Sequence, residues 1–211
     1  MFNNNNARQK QSIKEVVKMK NILRCMIFVV VAFCATSAWA ASSSTVTVTA
    51  NVPPVTGGLS VTVSRVTGTV WSADTSIGFG TLVWDTVNKI FLPDRYYAVD
   101  VAVVDNTGTA WTLTHTRASL ANGTNNLNDK VNVSFIKKVA TGTETVDKYL
   151  SFGNSNSIAY TKAALGTGWL RVYYGIGTGS LTKPDATGVT PIGLDTPTGT
   201  YTGSVTYTLT P

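Results

Sequence analysis

Between Thr45 and Val52 the chain reads Thr-Val-Thr-Val-Thr-Ala-Asn-Val, so every second residue is apolar and its neighbours are polar. Side chains of an extended strand point to opposite faces in turn, and this spacing predicts a half-buried strand rather than an amphipathic helix. The pattern returns along the rest of the chain, which is dense in Thr, Val, Tyr and Gly. Further strands are predicted at Leu59–Val66, Thr69–Trp71, Gly80–Trp84, Tyr96–Val104, Ala110–Thr116, Val131–Lys138, Trp169–Tyr174 and Gly199–Thr210. Turn chemistry separates them at Pro53-Pro54, Gly57-Gly58, Asn106-Thr107-Gly108, Asn122-Gly123 and Gly153-Asn154. Thr161–Leu165 is the one predicted helical turn. Ser180–Thr198, with Pro184, Pro191 and Pro197, reads as an irregular surface crossover. Tyr96–Val104 has little polar alternation beyond Asp100, which predicts a central strand. With no repeat of fixed length, the expectation is an all-β, antiparallel sandwich of immunoglobulin-like or jelly-roll type with about eight to ten strands.

The first forty residues differ in kind. Of the 17 Lys and Arg, six lie there (Arg8, Lys10, Lys14, Lys18, Lys20, Arg24) against one of the 11 acids, Glu15, which leaves 11 basic and 10 acidic residues in 41–211. A basic stretch at Lys18–Arg24 precedes the apolar run Met26–Ala35, and Ser37-Ala38-Trp39-Ala40 supplies small residues at both positions of an Ala-x-Ala cleavage site. That order predicts a secretory signal peptide removed after Ala40, with translation starting at Met1 or Met19. As a helix, ten apolar residues span only about 15 Å, half of a hydrocarbon core, which argues against a membrane anchor.

Export places the protein at the cell surface, in the envelope or outside the cell. No integral membrane segment is expected in the mature chain, because no later run approaches the about 18 apolar residues of a span. The expected organisation is a leader at 1–40, an N-terminal strand with a Pro/Gly linker at 41–58, and a sandwich domain at 59–211. Both cysteines, Cys25 and Cys34, fall in the leader, so disulfides and thiol chemistry are excluded from the body. A near-balanced charge there also gives no basic face for phosphates, and nucleic acid is set aside as a partner.

Three stretches, taken in order, carry a family resemblance: Ile77-Gly78-Phe79-Gly80, then Asn106-Thr107-Gly108-Thr109-Ala110-Trp111-Thr112-Leu113-Thr114, then Gly199–Thr210. Together they resemble the WxL domain of bacterial surface proteins over about residues 59–211. The resemblance implies a secreted β-sandwich that associates with cell-wall polymer through two Trp-x-Leu motifs. Carried onto this chain, the first motif is Trp111-Thr112-Leu113. At the second, Tyr207-Thr208-Leu209 stands with Tyr in place of Trp, so the implied wall-binding residues are Trp111, Leu113, Tyr207 and Leu209. A second resemblance rests on Leu170–Gly179 together with Thr196–Tyr201 and the alternating C-terminal strand. These are similar to pilin subunits of the spore coat protein U type, which implies chaperone–usher assembly and exchange of an N-terminal strand between neighbours. Those relatives usually carry disulfides and the mature chain here has none.

Both resemblances draw attention to Thr45–Val52. Val46, Val48, Ala50 and Val52 have the alternate spacing that fills successive pockets along an open sheet edge. The same face also suits the first strand of the chain's own sandwich. Burial of three valines contributes on the order of 5 kcal/mol in either place, so only closure geometry decides. Among the aromatics, Trp111 is expected in the core. The adjacent pairs Tyr96-Tyr97 and Tyr173-Tyr174 must each send one ring to either sheet face, a weak sign of a glycan platform that also takes in Trp71, Trp84 and Trp169.

Catalysis finds little support. His115 is the one histidine, in a strand without a nucleophile elbow. Asp85, Asp94, Asp100 and Asp105 show no spacing that sets two carboxylates across a glycosidic bond. Asp105–Gly108 and Asn125–Asp129 can offer loop oxygens to Ca²⁺, but these are ordinary turn compositions, and no metal or other cofactor is expected. The reading is a non-catalytic structural or attachment subunit. Its expected partners are cell-wall polymer, other envelope proteins, or further copies of itself through strand exchange.

Overall fold

The computed structural model describes residues 45–51, 58–104, 110–137, 145–153, 157–166 and 169–210, the first of these segments by its backbone. The leader read at 1–40, the Pro53-Pro54 stop and the Asn106–Gly108 turn lie outside the described residues. In chain order the strands are β1 Thr45–Asn51, β2 Leu59–Thr67, β3 Val70–Asp74, β4 Ile77–Thr81, β5 Val83–Asp85, β6 Ile90–Leu92, β7 Tyr96–Val103 and β8 Thr112–Arg117. They continue as β9 Ala121–Asn122, β10 Asn125–Asn126, β11 Val131–Lys137, β12 Thr145–Ser151 and β13 Ser157–Thr161. The helical turn α1 Lys162–Leu165 is followed by β14 Trp169–Ile176 and β15 Thr200–Thr210.

The fold is an all-β sandwich. One sheet runs β12-β11-β14-β7-β2-β3, antiparallel throughout. In the other, β15 is paired on both sides, with β1 on one flank and with β8 and β9 on the opposite flank. β1 also pairs β4, and β13 extends the sheet beyond β8. The β5–β6 ribbon stands apart, tied down by a bridge from Phe91 to Ile192. As its low polarity predicts, β7 is central, between β14 and β2. Ser180–Thr198 holds no strand, only the single bridge at Ile192.

Period-two alternation builds the core. Trp169–Ile176 alternates half-buried and buried along its whole length, so Leu170, Val172 and Tyr174 stand beside Val101, Val99 and Tyr97 on the inner side of their sheet. Across the sandwich stand Ile77 and Phe79 of β4, Leu113 of β8, and Tyr201, Val205 and Tyr207 of β15, all fully buried. Two glycines permit this packing. Gly80 has φ 69°, in the left-handed region, where β4 shifts register against β1. A Cβ on Gly203 would lie 2.9 Å from the Ser119 carbonyl oxygen and 3.2 Å from Leu120 Cα, so the 118–120 segment crosses β15 only because that side chain is absent.

The strand count differs from the expectation. The described residues hold fifteen strands rather than eight to ten. Gly80–Trp84 is split between β4 and β5, the charged edge strand β12 and the short β6, β9 and β10 show too little alternation to be counted from sequence, and β13 alternates but over only five residues. The sandwich is antiparallel as expected, with one parallel pair among the described strands, β1 and β15; they lie far apart in sequence, and no hairpin constrains their relative direction. β1 is no edge strand. It is an interior strand of the sheet, in one compact unit with the rest of the described residues.

Candidate functional site

The four WxL-like residues come together, but inside the sandwich. Leu113 and Leu209 are register partners in β8 and β15, and two residues along His115 is the partner of Tyr207. Trp111 is 5% exposed, Leu113 and Tyr207 are fully buried, and Leu209 packs against the same core. Trp111 lies in the core, as its place in the predicted strand implies, and a polymer in solvent cannot reach either ring in this closed sandwich. The Tyr207 hydroxyl has a partner here.

That partner belongs to a polar chain across the core. His115 Nε2 lies 2.7 Å from the Tyr174 hydroxyl, which lies 2.8 Å from the Tyr207 hydroxyl. Protons along it can run in either order. Because Tyr174 is in β14 and the other two are in β8 and β15, these bonds join one sheet to the other and fix their relative position. Phe135 meets the imidazole edge-on at 4.9 Å. Burial, reinforced by the positive charge of Arg117, holds the His115 pKa down to about 3, so the ring is neutral. Burial likewise pushes the Tyr174 and Tyr207 phenols above their ordinary value. Arg117 is itself buried; its Nη1 donates to the Ser151 carbonyl at 3.2 Å and its guanidinium lies 5.7 Å from the Phe152 ring centroid. The groups are all buried, and their bonds tie the two sheets together.

The candidate donor strand has a defined seat. β1 lies between β15 and β4, which share no ladder with each other among the described residues. Thr45 to Asn51 match Thr200 to Thr206 one for one, and Val46, Val48 and Ala50 are the register partners of Tyr201, Gly203 and Val205. On the other flank Thr45 to Val48 pair with β4 between Thr81 and Ile77. Val52 lies outside the described residues. β15 is flanked by β1 and β8, so it does not offer itself as a free edge.

The tyrosine pairs divide as their spacing requires. Tyr97 and Tyr174 are buried inside, whereas Tyr96 and Tyr173 stand on the outer face of the six-stranded sheet. There Arg171 holds Asp100 through two hydrogen bonds of 2.6 and 2.8 Å. Its guanidinium carbon lies 5.0 Å from the ring centroid of Trp71 and 5.0 Å from that of Trp169. Sequence reading noted Asp100 as the polar exception in β7 but gave no partner for it. Charge placed in an otherwise apolar central strand was the available signal.

The remaining carboxylates have separate tasks. Asp85 accepts from the Val87 and Asn88 amides and the Asn88 side chain, bonds that lower its pKa. Asp94 pairs with Arg95, and Asp105 lies outside the described residues. In the Asn125–Asp129 turn, Asn128 accepts from the Leu120 amide and donates to Ser119. Among the described residues, no three His, Cys, Asp or Glu gather at metal-binding distance, and no helix is long and apolar enough to cross a membrane. No family model matches the chain, and no curated protein or solved structure matches it either.

Proposed function

We propose that this chain is an exported, non-catalytic subunit of a bacterial cell surface or envelope, and that copies join when the N-terminal strand of one seats in the sheet of the next. One observation supports this reading above others: β1 is the first described strand and lies between β15 and β4, which share no ladder with each other among the described residues. Taking it away leaves the Thr200–Thr206 flank of β15 and the facing flank of β4 with unpaired amides and carbonyls, an edge that recruits another strand. The ladder it makes is the same whether the strand arrives from its own chain or from a neighbour, so exchange costs little in contacts. Closure within one chain sets the resting state, and a neighbour's strand competes with it through local concentration. The alternating Val46, Val48 and Ala50 give the strand its preferred register.

The test removes residues 42–57 and returns them as a peptide. The shortened chain should lose its cooperative thermal transition and regain it with a peptide spanning Thr45–Val52, but not with one in which the Thr/Val alternation is scrambled. A shortened chain as stable as the full one, or one indifferent to the peptide, would reject strand completion. The wall-attachment reading gains nothing from Trp111 and Tyr207, whose rings are covered.

A further inference from the structure

The outer face of the six-stranded sheet carries an aromatic cluster that the strand-exchange reading does not use. Trp71 of β3, Tyr96 of β7, and Trp169 and Tyr173 of β14 gather around the Arg171–Asp100 pair. Trp71 meets Tyr173 edge-on with ring centroids 6.4 Å apart, and Tyr173 lies 6.0 Å from Tyr96. Beneath them are Val66 and Ala98, essentially fully buried, yet outside the core between the sheets. Val66 is the register partner of both Trp71 and Tyr96, and Ala98 of Tyr173. One side of the rings therefore covers this floor. Trp71 nevertheless remains 45% exposed and Tyr96 38% exposed, so broad ring surface still faces solvent.

Three features select the occupant. First, Trp71 and Tyr96 each pack against Tyr173 and keep ring surface open to solvent, and ring faces take the C–H surfaces of sugars. Second, the neighbouring positions on this face are Thr62, Ser64 and Ser134, partners of Asp100, Ala98 and Tyr173. The three supply hydroxyls beside the aliphatic Ile136, the partner of Arg171. Third, the one charged pair on the platform is closed upon itself by two short bonds, leaving no net charge to attract a polyanion. We infer that Trp71, Tyr96, Trp169 and Tyr173 form a binding platform for an uncharged polysaccharide chain, with Arg171 and Asp100 holding the rings in place. The platform lies on the sheet that does not contain β1, so it is present in a closed monomer and in an assembly alike.

The test titrates the purified protein with cello-, chito-, malto-, xylo- and laminarihexaose by calorimetry, with inorganic polyphosphate as the charged comparison. At least one neutral hexaose should bind, with an affinity insensitive to salt. Trp71→Ala should weaken it about tenfold while Val87→Ala, at an exposed apolar residue on the β5–β6 turn, leaves it unchanged. Should Trp71→Ala fail to fold, amide shifts in the unmodified protein give the same answer: they should cluster at 62–74, 96–100 and 169–173. Absence of binding across all five sugars, shifts elsewhere, or a Trp71→Ala protein that is folded and binds normally would overturn the platform. So would salt-sensitive capture of polyphosphate in preference to every sugar.

Discussion

Acid should weaken this fold through His115. In the unfolded chain the imidazole takes up its proton near the ordinary value of 6.5; in the folded protein it stays neutral down to about pH 3. Between these values the unfolded state binds more protons, so the stabilisation is fully present above pH 6.5 and is lost as pH falls. The slope approaches about 1.4 kcal/mol per pH unit, and 1.5 units below the unfolded pKa the loss is about 2 kcal/mol. Against a total stability of about 5–15 kcal/mol this is a readily measured share. The groups facing the ring are Arg117 on its own strand, Tyr174 from β14 and Tyr207 from β15, and none of them titrates between pH 5 and 7.5. Urea unfolding at pH 7.5 and pH 5 of the native protein and of His115→Gln isolates the effect, because glutamine does not titrate and its amide can still reach Tyr174. Asp85, Asp94 and Asp147, all with lowered pKa values, behave alike in both proteins and cancel. The native protein should lose about 2 kcal/mol more than the variant between the two conditions. Equal losses would refute a buried neutral imidazole.

Other substitutions separate interior from surface roles. Trp111→Ala should cost about 3–5 kcal/mol in thermal unfolding, the range for a large core side chain, whereas an exposed contact ring would cost almost nothing. Gly203→Ala should lower stability by about 1–3 kcal/mol, because the 118–120 backbone has no room to retreat from a methyl group. Tyr207→Phe should cost about 1 kcal/mol at neutral pH by removing the last hydroxyl of the chain that joins the sheets, measured by urea unfolding.

Much of the sandwich is legible in residue order because a half-buried strand writes its two faces into alternate positions. Val131–Lys137 and Thr200–Thr210 show this plainly, and the 161–165 turn is marked by Thr161, whose hydroxyl accepts from the Ala164 amide. β12 was missed for the converse reason. Its first five residues are all exposed, Asp147 and Lys148 among them, so no apolar face marks it. Spacing also told that each tyrosine pair divides between faces, but not which ring goes inside, since that depends on registers between strands far apart in sequence. The same limit hid the Arg171–Asp100 pair, whose members are separated by 71 positions. The parallel seat of β1 was out of reach too: alternation states that a strand has an apolar face but not which edge receives it.

The exchangeable first strand is tested most directly by two single-cysteine proteins, Thr47→Cys and Thr202→Cys, at register partners in β1 and β15. No native cysteine lies beyond residue 40. Neighbouring strands stand about 4.8 Å apart, within the Cα separation that a disulfide spans. Mixed, concentrated and oxidised, the two should yield a cross-linked pair of one protein with the other, since that bond forms only when a strand has crossed between copies. If Thr47→Cys and Thr202→Cys close readily within one doubly substituted chain but never link two singly substituted chains at any concentration, β1 serves its own sandwich alone and the assembly account is contradicted.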